Sequence, residues 1–427
     1  MQATQHTSWS ANAASLLCAA ICALSCTVAF ADDYRPQKRA GSVSTARRTT
    51  PEELPAAYDP TAKWGTSGPS LVEGLTPPPP VVDQEIFANP VDARIPFEEP
   101  ATPWSSGSWF MSGRRYVQVD AVFGLEVRPK NDRVVLAADT ANPNRVLTTY
   151  GRTFGIEPGM RMTLGTYLDR DYQNRDHSLE FSFLMLGQFH ADDGITGLGS
   201  NSIVSPINTG IPGFSGAGFQ TTTLDTQYSS FEVNYKIRKR LEHDRMVMGP
   251  DGTWTRQFTK GYVPSMSFGV RYVNYDEDFL WLSRRDGVAP ATFGGDYAVS
   301  TNNDMLGVQF GGELLDQYET WYWGIRGKGG AYVNFSDLDR NIVINGSVVR
   351  DEHASLNAAA FVGEVGFVAA YQMSPNWTLR ASYDLIFMGG VATHTEQVQF
   401  NFDPITNVEN NGMITLQVFS LGMEMVW

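Results

Sequence analysis

The chain has 427 residues, a formal net charge of −14, 42% hydrophobic and 12% aromatic residues, and 40 glycines. That length suits one large domain or two ordinary ones. The acidic balance argues against a nucleic-acid partner, while the aromatic and glycine content suits a β-protein with tight bends and interfacial rings.

Ala13 to Ala31 is the one long apolar run, and it ends in Ala29-Phe30-Ala31 before Asp32-Asp33. The small-x-small ending reads as a secretory signal peptide, residues 1–31, cleaved after Ala31. It departs from pattern in having no Lys or Arg ahead of the apolar run, and a retained membrane anchor is the rival reading. All three cysteines (Cys18, Cys22 and Cys26) lie inside this run. The exported chain then carries no disulfide, thiol nucleophile or Cys-metal site; lipidation at Cys26 matches its motif poorly. Residues 32–106 show no sustained periodicity and include four consecutive prolines, Pro77 to Pro80. They read as an extended or disordered periplasmic linker. No later segment is apolar enough for a membrane helix, so a membrane-spanning mature chain must be a closed barrel.

From Arg115 onward, ten segments alternate with period two. In the first, Val117, Val119, Ala121, Phe123 and Leu125 oppose Gln118, Asp120 and Glu126. The second, Met160 to Leu164, sets Met160, Met162 and Leu164 against Arg161. In the third, Leu179, Phe181 and Phe183 oppose Glu180 and Ser182. Later segments set Phe231, Val233 and Tyr235 against Glu232 and Lys236, Met266, Phe268 and Val270 against Arg271, and Leu306, Val308 and Phe310 against Glu313. Trp321, Trp323 and Ile325 oppose Arg326 and Lys328; Phe361, Val365 and Phe367 oppose Glu364; Leu379, Tyr383 and Leu385 oppose Arg380 and Asp384. The tenth segment ends the chain. Phe419, Leu421, Met423, Met425 and Trp427 form its apolar face, and Val418, Ser420, Gly422 and Glu424 lie on the other. About 9–11 tilted residues cross a bilayer, so each segment can be a membrane strand.

A soluble sandwich would also alternate. Two features favour the membrane. Connections after odd strands are long and polar (131–152, 191–226, 277–303, 335–357 and 391–412). Those at Gln317 to Thr320, Met373 to Asn376 and Asp169 to Asp176 are short. Trp321, Trp323, Trp377 and Trp427 would form one aromatic belt, with Tyr272, Tyr275 and Tyr332 in the other. The segment from Arg240 to Gly261 breaks the rule and reads as a small soluble hairpin around Pro250-Asp251-Gly252; two more barrel strands, giving twelve, are the alternative. Asn345-Gly346 marks a hairpin that extends strands above the membrane.

The signal peptide, Pro-rich spacer and C-terminal barrel resemble the β-barrel porin families of Gram-negative-type bacteria, in particular the group called β-barrel porin type 7. The resemblance covers about Trp109 to Trp427. It rests on Phe231-Glu232-Val233-Asn234, on Trp377 to Asp384, and on the final strand. It implies an outer-membrane location and a pore role, and carries no functional residues across. The final strand is also similar to the terminal assembly signal of outer-membrane barrels, with Phe419, Leu421, Met423, Met425 and Trp427 as its members.

The expected architecture is an all-β, transmembrane, antiparallel up-and-down barrel of ten strands over residues 107–427. The expected partners are outer-membrane lipid, the barrel-assembly machinery and small hydrophilic solutes. Candidate lumen residues are Asp120, Arg161, Glu180, Glu232, Lys236, Arg271, Glu313, Arg326, Lys328, Glu364, Arg380, Asp384 and Glu424, whose mixed charges should pair across strands. Gly124, Gly269, Gly324 and Gly422 on the same faces should leave room. No cofactor, metal or catalytic group is expected. His190-Ala191-Asp192-Asp193 and Asp276-Glu277-Asp278 do not match the order or spacing of omptin-like proteases and read as a solvated acidic rim. A narrow porin-like channel is the leading function. A closed barrel displaying its long loops for adhesion is the rival, and a surface hydrolase comes third.

Overall fold

A computed structural model describes residues 115–427 except 130–132, 150–153, 174, 208–212, 240, 242–244, 249, 251–253, 258–259, 319, 375, 402–403 and 405–406. The signal-peptide and linker readings lie outside the described residues. Ten long strands form the wall: β1 (Arg115–Val127), β2 (Glu157–Arg170), β3 (Arg175–Leu186), β4 (Phe219–Lys239), β5 (Gly261–Arg284), β6 (Gly294–Gln317), β7 (Trp321–Ile344), β8 (Ser347–Gln372), β9 (Trp377–Val391) and β10 (Gly412–Val426). Each pairs antiparallel with its neighbours, and β10 pairs with β1 from Tyr116↔Val426 to Val127↔Thr415, which closes the ring. The strand number is therefore ten. The segment after β4 is a separate hairpin in which Arg245–Met248 pairs with Trp254–Gln257, so the twelve-strand alternative falls.

Alternation decides which way each side chain points. On β5, Met266, Phe268 and Val270 face out and are half exposed, while Val263, Ser265 and Arg271 face in and are buried. The outward apolar belt runs from Tyr262 to Tyr272 on β5, Leu306 to Leu314 on β6 and Trp321 to Phe335 on β7. With tilt, strands of this length match the roughly 25 Å apolar band of a membrane barrel. Trp321, Trp323, Trp377 and Trp427 are all exposed on the outer face at the short-turn end. The opposite girdle differs from expectation. Tyr272 faces out, but Tyr275 and Tyr332 are buried inside, 0% and 4% exposed. One position of parity separates Tyr275 from the lipid face. Outward Phe123, Phe335, Phe361 and Phe387 supply the rings instead.

The long loops are largely wall. β4, β5, β6, β7 and β8 continue beyond the belt, and Phe189–Thr196 prolongs β3 by pairing with β4. Asn345 and Gly346, at φ 52° and 76°, make the two-residue turn between β7 and β8 that such left-handed conformations allow. Outward positions turn acidic there (Asp278, Asp337, Asp339 and Asp351), so apolar alternation stops where the strand does not. β8 loses its β9 neighbour above Phe361↔Gly389. The continuation is thus an open, curved sheet rather than a ring. Its inner face holds a small sheet of Val135–Asp139, Asn142–Thr148 and Ile203–Val204, and a strap between β9 and β10 that carries the short helix α1 (His394–Gln397).

Candidate functional site

The interior divides into two halves. At the loop end one continuous apolar cluster fills it. Wall residues Val122, Leu186, Trp281, Tyr297, Met305, Ile386, Leu416 and Val418 meet Leu136, Leu147, Phe154 and Phe214 from the inner sheet and connections, and Val398 and Val408 from the strap. Phe214 packs on Trp281 at 4.7 Å between ring centroids. This dry core was legible in part. Runs such as Phe279-Leu280-Trp281-Leu282 and Leu385-Ile386-Phe387-Met388 are apolar at inward as well as outward positions, as a strand is when its inner face meets an apolar core.

Inside that core sits a charged network. Arg128 donates from Nε to Glu126 at 2.7 Å, and from Nη2 to Glu277 at 2.6 Å and to the Tyr275 hydroxyl at 2.9 Å. Glu277 Oε2 also accepts the His394 backbone N–H and meets His394 Nδ1, both at 2.8 Å. His394 stacks on Phe279. Glu277 is 1% exposed and His394 0%, so the acidic-rim reading of Asp276-Glu277-Asp278 is wrong at its middle residue. Alternation turns Glu277 inward while Asp276 and Asp278 face out. Burial opposes the Glu277 charge, but Arg128 and His394 outweigh it and hold its carboxyl down at about 2. Asp276 behaves oppositely. Burial, with Asp304 and Asp278 nearby, pushes it up to about 7 against the hydrogen bond from Asn274.

At the turn end the interior is polar and charged. All thirteen candidate lumen residues face inward. Arg161 reaches Asp384 at 2.8 Å, and Arg326 reaches the same carboxylate through Nε at 2.9 Å and Nη2 at 2.7 Å. Glu232 accepts from Lys328, Gln309 and Asn234 at 2.9 Å each and lies 3.3 Å from Arg271, which also reaches Glu364. Lys236 bridges Glu180 and Glu313, while Arg380 pairs with Glu424 at 2.7 Å. Asp120 accepts from Gln118 through one oxygen, and its other oxygen is buried without a hydrogen-bond partner. The charges pair across strands as their cost in a low dielectric requires. Arg238, which donates to Glu313, and Gln309 fall on the polar face of the same alternation and join these pairs, although they are not among the thirteen candidate lumen residues.

The glycines do not widen this interior. A Cβ at Gly422 would lie 2.2 Å from Asp120 Oδ1, and one at Gly324 would lie 2.2 Å from the Leu314 carbonyl. They let neighbouring strands and side chains approach. Among the described residues, a cavity of about 110 Å³ is lined by Arg161, Glu232, Lys236, Arg326, Lys328 and Arg380 among others. It sits below the apolar core, within the turn-end half. Among the described residues, no group of three or more His, Cys, Asp or Glu is placed to hold a metal ion, and no helix is long and apolar enough to cross a membrane.

No protein-family model and no curated protein matches the sequence. Solved structures of similar architecture are outer-membrane barrels. The outer membrane protease OmpT from Escherichia coli aligns over 75% of this chain and all of its own, at 10% identity and TM-score 0.35. The translocator domain of autotransporter NalP from Neisseria meningitidis aligns over 74% and 88%, at 10% identity and TM-score 0.30. The Pseudomonas putida toluene transporter TodX aligns over 80% and 93%, at 9% identity and TM-score 0.21. The likeness is one of barrel fold.

Proposed function

We propose that this chain is a bacterial outer-membrane barrel whose lumen is closed at the extracellular end, and that it serves as a scaffold presenting a folded extracellular layer for surface contact. One observation carries the reading. Inward residues of β1, β3, β4, β5, β6, β7, β8, β9 and β10 share a single apolar core with the inner sheet and the strap. An ion crossing this region would need a dry passage through fully buried rings such as Trp281 and Tyr297, and stripping its water costs far more than thermal energy supplies. The layer above the belt displays an acidic outer surface for a partner to meet. The measurement is planar-bilayer conductance of the refolded full chain. Silence is the expected result; steady, porin-sized conductance would refute a closed barrel.

A narrow channel for small hydrophilic solutes is the second reading. The cavity in the turn-end half favours it. It needs the extracellular core to part, and brief, small openings in the same recordings would support it.

A further inference from the structure

We propose that the open edge of β8 above the membrane belt binds an extended segment of a partner protein as an added strand, basic on its outer face and apolar on its inner face. The proposal deepens the surface-contact reading and rests on it for the exposure of this layer to the outside.

The edge is open because β9 leaves it. β8 keeps β7 as a neighbour from Ser347 to Tyr371. Among the described residues, no strand pairs with its other side above Phe361↔Gly389. Gly390, at φ 79°, turns the chain away. Asn334 Nδ2 then donates to the Gly390 carbonyl at 3.0 Å, and Asn303 exchanges two bonds with the Ala392 backbone, at 2.9 and 2.8 Å. These bonds pin the strap to the inner faces of β6 and β7 instead of along β8. Residues 351–358 remain extended, and every second one turns its N–H and C=O to the open side. Proteins blunt such edges with Lys, Pro or an inward charge. Residues 351–358 contain no Lys, Arg or Pro, and the inward Glu352 is matched by Arg340 Nε at 3.1 Å.

The inner side is also incomplete at this edge. Leu338 on β7 is 1% exposed, whereas Ala354 opposite it, and Leu356 further along β8, pack on the same core yet stay half-buried. The sheet's other end strand, Phe189–Thr196, differs. Its inward Phe189 and Ile195 are 0% and 5% exposed, so that edge is already covered from within. A strand added beside β8 would set alternate side chains against Ala354 and Leu356, where apolar groups fit.

Charge selects the outer face. Asp351, His353 and Ser355 point out, and Asp339 and Asp337 stand across from His353 and Ser355 on β7. His353 Nδ1 meets Asp339 at 2.8 Å, with both side chains well exposed. No Lys or Arg holds an outward position of β7 or β8 along this stretch. Lys or Arg on the added strand would reach these carboxylates as opposite or diagonal neighbours. A second copy of this chain is a poorer occupant. Its end strands carry outward Asp351 and Asp192, and like charges opposed across strands destabilise a sheet. Strand addition of this kind takes affinity from the main chain and specificity from alternate side chains.

The probe is a fluorescein-labelled peptide as long as this edge, in which Lys and Val alternate. It is titrated by anisotropy against the refolded full chain in a non-ionic detergent, with folding of each variant checked by heat-modifiable migration. Saturable binding of one peptide per chain is expected, together with new amide-exchange protection at residues 351–358. A twin N-methylated throughout keeps the side chains and loses every backbone donor; it should bind at least tenfold more weakly. Asp337→Asn with Asp339→Asn should weaken the parent peptide several-fold, and Asp192→Asn at the other end strand should change nothing. Equal binding of the two peptides, or protection appearing elsewhere, would overturn the assignment. Protection of residues 351–358 by self-association without peptide would overturn it in favour of a second copy. The outcome is separable from conductance. A conducting barrel refutes the closed scaffold and leaves this edge standing, while failure of the peptide refutes the edge and leaves the closed lumen standing.

Discussion

Replacing Glu277 by Ala is the sharpest probe of the network inside the extracellular core. It deletes a carboxylate that accepts from Arg128 at 2.6 Å and from the His394 backbone at 2.8 Å, and that meets His394 Nδ1 at 2.8 Å. Water cannot replace it, because Glu277, Arg128 and His394 are all buried. Breaking a buried ionic pair from one side costs about 3–5 kcal/mol, because the partner's charge is left behind. Glu126 still neutralises Arg128 through Nε, so the expected loss is near the lower end, ~3 kcal/mol. Glu277→Gln keeps an acceptor oxygen for the His394 N–H and should lose about half as much. Urea unfolding of the refolded barrel, followed by tryptophan fluorescence, gives these differences. Amide exchange supplies a local readout: the His394 N–H should lose protection in Glu277→Ala before the β5 amides of the belt do. A Glu277→Ala protein within about 0.5 kcal/mol of the parent, the range of surface substitutions, with His394 still protected, would mean the strap is held by apolar packing alone.

Leu385 faces out on the membrane stretch of β9, beside Val365 and Gln417. Leu385→Arg should cost on the order of 2–4 kcal/mol near the bilayer midplane, read as a lower urea midpoint in liposomes; an unchanged midpoint would put this face away from lipid. Asp276 titrates at about 7 in the folded chain, against an ordinary 3.8. Between those values the folded state holds a proton that the unfolded state has released. Stability should therefore fall as pH rises through that window and level off above about 8. Asp276→Asn should flatten the difference between urea midpoints at pH 5 and pH 8, and an undiminished difference would exclude Asp276 as its source.

The membrane half of this protein is legible in the linear pattern of residues. Lipid on one side and a polar interior on the other force a period-two pattern. That pattern located ten strands, placed Asp120, Arg161, Glu232, Arg326 and Asp384 on inward positions, and separated tight turns from long connections. Above the belt the rule changes, because both faces of a strand can be apolar or both polar. Periodicity there no longer says whether the chain is wall or loop, which is why β4 to β8 read as loops where they continue as strands. What fills the interior follows from contacts between distant parts of the chain. Glu126, Arg128, Glu277 and His394 are spread over 269 positions of sequence, and their meeting depends on barrel closure and on the strap folding inward. Gly324 and Gly422 look like open space in a linear chain, yet each is small because a neighbouring backbone or carboxylate occupies the space a side chain would take. Whether ten strands enclose a passage or a core depends on what the connections insert between them, and that is a property of packing rather than of pattern.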